Sequence, residues 1–160
     1  MPTGEVGEIC CRSALVMRGY WRAPEQTEET MRGGWLHTGD LGRLDEDGYL
    51  YVVDRKKDLI IRGGFNVFPR DVEEALLEHS AVEGAAVVGR QDPKCGEEVV
   101  AFVALREQLD PAELVTWART RIGGYKYPRE VHVVPAIPLT PIGKIDRKAL
   151  RARLHEKVEA

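Results

Sequence analysis

Five consecutive charges, Asp54-Arg55-Lys56-Lys57-Asp58, mark a solvated turn and a natural border between two parts of this chain. Each part must then find its own way to bury apolar side chains. The two are unequal in their means of doing so.

Residues 1–54 hold several strand-like segments and almost no helix. Ile9, Leu15, Val16 and Met17 favour short strands between Gly7 and Arg18, and APEQTEETM reads as a short helix with Pro24 in its first turn. Trp35-Leu36-His37-Thr38-Gly39-Asp40 reads as a strand running into a tight bend. LGRL and GYLYVVD flank Asp45-Glu46-Asp47-Gly48 as a hairpin. About 50 residues of this kind cannot bury both faces of a sheet, so residues 1–54 read as the edge of a larger domain. Strand-like sequence begins almost at once after Met1, as it would in a fragment.

The second part is more self-contained. LII and FNVF flank Arg62-Gly63-Gly64 as another hairpin. Pro69 opens a helix whose face reads Val72, Ala75, Leu76 and His79 at helical spacing. VEGAAVVG and VVAFVALR are buried-strand candidates. Asp110 caps a helix with Pro111 in its first turn, Glu113 placed to reach back, and Leu114, Val115, Ala118 and Ile122 as its apolar stripe. EVHVV is a third strand, and Asp146 caps a last helix carrying Ala149, Leu150 and Leu154. The order predicts a small α+β domain of about 100 residues, one central sheet covered by helices.

Twenty-three basic against 26 acidic residues leave a formal charge of -3, which argues against a broad nucleic-acid footprint. No apolar run reaches membrane-spanning length. Cys10, Cys11 and Cys95 have no paired spacing and fit a reducing, cytoplasmic setting better than disulfides or zinc. His79 and His132 read as structural residues, and no metal-ligand spacing or Ser/His/Asp set stands out. Asp71-Val72-Glu73-Glu74 is an acidic helix start that complements the helix dipole.

PLTPIGKIDRKAL, from Pro138 to Leu150, brackets Lys144 with prolines and a glycine just ahead of a helix start. Such a loop holds a lysine in one place while its stem reaches outward. From the residues alone, a solvated surface lysine and one that spans a cleft are both open.

Five stretches together resolve this: GEVGEI with Arg18-Gly19-Tyr20, GGWLHTGDLG, YVVDRKKDLIIRGGFNVFPRDVEEAL, KCGEEVVAFVAL and PLTPIGKIDRKAL. In this order and at these separations the chain resembles the carboxyl-terminal part of the adenylate-forming enzymes, and most of all the fatty-acid and related carboxylate–CoA ligases. The resemblance implies a strand-rich end of a large AMP-binding domain at 1–54, then a small lid domain at 55–160. It also implies chemistry in two halves. A carboxylate attacks the α-phosphate of Mg-ATP and releases pyrophosphate, then the lid rotates and the thiol of coenzyme A takes the acyl group.

Residue by residue, the resemblance makes Lys144 the catalytic lysine. Its charge would offset the repulsion between carboxylate and α-phosphate in the transition state. Asp40 and Arg55 match ribose-binding positions, where a fixed carboxylate accepts from vicinal hydroxyls and a guanidinium donates. Lys57 matches the hinge. Gly63 and Gly64 match the face turned to the pantetheine tunnel during thioester formation, and Lys94 would be a contact for the nucleotide phosphate of coenzyme A. No metal ligand is expected in this chain. The phosphate loop, the Mg2+-binding glutamate and the acyl pocket belong to the large domain, so ATP, Mg2+ and coenzyme A should not bind tightly here, and the chain alone should be inactive. The alternative is a free-standing lid or interaction module that works with a separate partner. Unpaired strands in 1–54 could also pair with a second copy as a homodimer.

Overall fold

The computed structural model describes residues 1–156, which form two compact units, Met1–Lys57 and the chain from Asp58 onward. The border falls inside a 3-10 turn at Lys56–Asp58, within the run of charges.

The first unit is a three-stranded antiparallel sheet in the order β1-β2-β3, with β1 at Gly7–Cys11, β2 at Leu36–Leu44 and β3 at Leu50–Arg55. A seven-residue helix, α1 (Pro24–Thr30), precedes β2. The β2–β3 hairpin closes on Asp45, whose carboxylate accepts the N–H groups of Asp47 and Tyr49 at 3.0 and 2.9 Å. Those bonds, that of Tyr49 foremost, hold its pKa below the ordinary range.

Two expectations fail in this unit. The Thr38-Gly39-Asp40 stretch is no turn, because β2 runs through it unbroken. Gly39 takes φ +73°, and Thr38 Oγ1 bridges by donating to Ile9 O and accepting from Asp40 N–H, so the kink is absorbed inside the strand. Nor do Leu15, Val16 and Met17 form a strand. That segment is turns and bends, with Leu15 almost fully exposed, because no neighbouring strand offers it a ladder.

The second unit is built on β7 (Gly96–Leu105), which pairs antiparallel with β6 (Val82–Asp92) and parallel with β8 (Glu130–Val133). The short hairpin β4 (Ile60–Arg62) and β5 (Phe65–Val67) joins β7 at Arg62↔Gly96. Alternation along β6 and β7 sends successive residues to opposite faces. Val87, Val99, Ala101 and Val103 pack with Val72 and Leu76 of α2 (Pro69–Leu77) and Leu114 and Ala118 of α3 (Pro111–Arg121). Ala86, Val88, Val100 and Phe102 pack on the other face with Leu150 and Leu154 of α4 (Arg147–Glu156). Helices thus cover both faces of the one central sheet expected in this α+β domain.

The caps explain the helix starts. Asp110 accepts from Ala112 N–H at 2.9 Å and Asp146 from Ala149 N–H at 3.0 Å. His79 is not on the stripe of α2 but beyond its end, where its ring meets Trp117 edge-on at 4.9 Å. Trp117 in turn donates to Ala75 O at 3.0 Å, tying α3 to α2.

Candidate functional site

Asp40 and Arg55 face each other across β2 and β3, and Arg55 Nε lies 2.8 Å from Asp40 Oδ1. The unbroken β2 puts residue 40 opposite residue 55, so the two sequence-predicted ribose positions share one end of the hairpin. Both remain open to solvent. Arg55 and Lys57 also line a cleft with Tyr20, Thr38 and Gly39.

A second group was not legible in the sequence. In the same cleft Glu8 Oε2 lies 2.8 Å from Lys56 Nζ, 3.2 Å from Arg32 Nη2 and 3.0 Å from His37 Nδ1. These partners, the Lys56 bond foremost and then that of His37, hold the Glu8 pKa down at about 2. Cys10 Sγ stands 3.4 Å from the same His37 nitrogen, so Glu8, Cys10 and His37 are close enough to ligate one ion. Arg32 and Lys56 already supply the positive charge that a metal would bring. The cluster is a completed network of protein charges, and it gives no reason to place an ion there.

In the second unit, Gly63, Gly64 and Lys94 come together. Gly63 N–H donates to Cys95 O at 2.7 Å, which ties the tip of the β4–β5 hairpin to the turn between β6 and β7. Asp92 builds that turn by accepting from Lys94 N–H (2.8 Å) and Cys95 N–H (3.0 Å), bonds that lower its pKa. Arg62 and Glu98 clamp the hairpin alongside at 2.6 Å. Gly63 and Gly64 have φ +57° and +82° with open space where a Cβ would stand. Their backbone alone explains glycine, with no crowding inside this chain. Beside them Phe65 stacks on Tyr125 at 4.7 Å, half-exposed. Cys95 carries a free thiol in that turn. Burial, and after it the Asp92 carboxylate, push its thiol up and so disfavour the thiolate.

Lys144 occupies a loop of its own. Leu139 and Ile145 bridge antiparallel, Lys144 O accepts Thr140 N–H at 2.7 Å, and Gly143 N–H donates back to Thr140 O at 2.9 Å with φ +76°. Thr140 Oγ1 accepts the Lys144 N–H at 3.2 Å. Asp146 N–H closes the base on Pro138 O at 2.8 Å. The result is a miniature hairpin with an exposed lysine near its tip, fixed by its own backbone. Pro and Gly spacing announced that stiffness in the sequence.

One sequence reading changes here. Glu73 is no exposed dipole partner at the start of α2. It is buried, accepts from Val87 N–H at 2.8 Å and pairs with Arg147 at 2.6 Å, because it lies on the same helix face as Val72 and Leu76. His132 is structural, as expected, stacked on Phe102 with Nε2 2.6 Å from Glu130.

Residues 71–144 match the model of the AMP-binding enzyme C-terminal domain. The medium/long-chain-fatty-acid–CoA ligase FadD8 of Mycobacterium tuberculosis is 49% identical over 162 residues, covering 96% of this chain and 28% of the relative. The long-chain-fatty-acid–CoA ligase of Bacillus subtilis is 46% identical over 157 residues, covering 97% of this chain and 28% of its own length. Among solved structures, the amide bond synthetase McbA of Marinactinospora thermotolerans superposes with a TM-score of 0.86 at 46% identity, covering 96% of this chain and 32% of that one. The chain thus spans under a third of the length of these relatives. In sequence and in fold it belongs to the adenylate-forming AMP-binding enzymes, whose C-terminal domain it carries.

Proposed function

We propose that this chain is the C-terminal part of an ATP-dependent carboxylate–CoA ligase acting on a fatty acid in the cytoplasm, with residues 1–54 completing a large domain and residues 55–160 forming its lid. The observation that carries this reading is Lys144, exposed on a loop stiff enough to deliver a charge to a chosen point. In the first half-reaction a carboxylate oxygen attacks the α-phosphorus of ATP and pyrophosphate leaves with the bonding pair. Negative charge gathers on the oxygens around that phosphorus, and an ammonium placed there lowers the barrier.

Asp40 and Arg55 would grip the ribose. Arg55 now bonds Asp40, and both side chains can turn to vicinal hydroxyls without unfolding the hairpin. Lys57, in the charged turn between the two units, would act as the hinge. In the second half-reaction the thiol sulfur attacks the acyl carbonyl, AMP leaves, and a proton is released. Gly63, Gly64 and Lys94 would then face the pantetheine arm and nucleotide phosphate of coenzyme A. Among the described residues the three-membered Glu8, Cys10 and His37 group is no Mg2+ site, being poor in oxygen donors. Mg2+ and the acyl pocket would be supplied by the preceding part of such an enzyme. The free thiols of Cys10, Cys11 and Cys95 favour a reducing compartment.

The test joins this chain to the preceding part of the Bacillus subtilis relative and separates the half-reactions. Lys144→Ala should cost pyrophosphate release roughly 2–4 kcal/mol of transition-state stabilisation and barely alter coenzyme A consumption from supplied acyl-adenylate. Equal slowing of both halves would return Lys144 to a structural role. The 160-residue chain by itself should make no acyl-CoA, since one lysine cannot position two anions.

A second reading is favoured by the apolar outer side of the first unit. Leu44, Leu50 and Val52 are all about half exposed beside unpaired strand edges. This surface needs a cover, either an attached domain or a second copy of the chain. A concentration-dependent monomer–dimer equilibrium in sedimentation would favour the second copy.

A further inference from the structure

The bonds within the Lys144 hairpin do not by themselves say how it is aimed. They fix its shape, Leu139 and Ile142 are exposed, and only at the base do Ile145 and the preceding Ile137 pack against the cluster of Ala86, Val88, Val100 and Leu150. A polar anchor lies three residues beyond Lys144. Arg147, the first residue of α4, reaches the backbone of β6, where Nε lies 3.4 Å from Val87 O and Nη2 2.6 Å from Glu73 Oε1. The same Glu73 oxygen accepts the Val87 N–H at 2.8 Å. Both polar groups of Val87 therefore point away from β7, along the free edge of β6. Glu73 and Arg147 fill the places that the next strand would take.

This pair also joins helices on opposite faces of the sheet. Glu73 belongs to α2, packed with Val87, Leu114 and Ala118, while Arg147 opens α4, packed with Ala86 and Val88. The side chains are only 9% and 18% exposed, so neither charge can be satisfied by water if the other is removed. We propose that Glu73 and Arg147 form a clamp that aims the Lys144 hairpin, acting as positioning residues. The catalytic consequence rests on the reading of Lys144 given above; the mechanical one does not.

Removing either member should leave the hairpin's shape intact and let it swing. Glu73→Gln keeps an oxygen for Val87 N–H but loses the charge that holds Arg147. Arg147→Met keeps the length of the stem and loses both bonds. Arg147→Lys keeps the charge and should restore part of the order. In 15N relaxation of the 160-residue chain, order parameters at Gly143, Lys144 and Ile145 should fall from about 0.85 to below about 0.6 in the first two variants. Those at Val100 and Phe102 in β7 should stay unchanged, and the double variant should look like the singles. Unchanged values at 143–145, or an equal fall along β7, would overturn the clamp. If Arg147→Met fails to fold, Glu73→Gln and Arg147→Lys carry the same comparison.

In the joined ligase, Glu73→Gln should lower kcat for pyrophosphate release at least tenfold, with KM for ATP and the thioester half unchanged. Equal loss in both halves, or a loss confined to KM, would overturn a positioning role. If Lys144→Ala leaves adenylation intact, the catalytic reading of the lysine fails, and relaxation alone judges the clamp.

Discussion

The two units handle the same problem with different materials. In Met1–Lys57 the sole buried hydrophobic side chain among the described residues is Leu41, and order rests on turn bonds, the Asp40–Arg55 pair and the Glu8 network. From Asp58 onward a five-stranded sheet is packed on both faces, with Leu76, Val87, Val100, Leu114 and Leu150 shut off from solvent. Polar networks fix geometry at the cost of little net stability, whereas packing supplies stability in bulk. The first unit therefore reads as a surface of functional groups resting on a support. The second is able to supply its own.

Core truncation should separate them most. Leu76→Ala removes a fully buried side chain and should cost about 2–5 kcal/mol in denaturant unfolding of the second unit. Leu50→Ser, at a position 53% exposed, should fall within about 0.5 kcal/mol. Native-state hydrogen exchange sharpens the contrast without mutation. Amides of β6 and β7 should exchange at least 100-fold more slowly than those of β1 and β3, about 2.7 kcal/mol of extra protection. Equal protection in a strict monomer would break the comparison.

Acid should act on the first unit through Glu8. Its folded pKa of about 2 lies below the ordinary value of 4.5, so between these pH values the unfolded chain binds more protons. The contribution is whole above about pH 4.5 and is lost as pH falls toward 2. Lys56 and Arg32 are half exposed, so screening limits it to about 1 kcal/mol. Glu8→Gln should flatten that part of a pH-dependent unfolding curve. A loss of similar size, about 1 kcal/mol, is expected for Asp110→Ala, which removes the cap of α3 and leaves the first unit untouched.

Sequence periodicity revealed the second unit well and the first poorly, for a physical reason. Where helices and strands bury a stripe, as at Val72, Leu76, Leu114, Ala118, Leu150 and Leu154, the pattern is written in apolar residues. Where a strand buries almost nothing, no such pattern exists. Leu15 to Met17 then looked like a strand, and Gly39 looked like the end of one. The candidate site shows the same divide. Lys144 announced itself through Pro and Gly, and Asp40 and Arg55 through motif. Glu73 and Arg147 were hidden because an acidic residue near a helix start has a ready explanation on the surface. The sign that it was buried is its place beside Val72 and Leu76 on one face.

β7 has a consequence for the order in which the second unit assembles. Its partner β6 is three residues away along the chain, and Asp92 already draws their connecting turn together through two N–H bonds. Its parallel partner, the four-residue β8, pairs Glu130 with Val100, and α3 must be threaded between them. Closing the short loop costs far less chain entropy than closing the long one. The β6–β7 hairpin with α2 should therefore form the early nucleus, and β8 and α4 should dock late. On that route the Lys144 hairpin, lying between β8 and α4, is among the last pieces to take its place. Substitutions at Val87 or Val99 should slow folding, while those at Leu150 should mainly hasten unfolding.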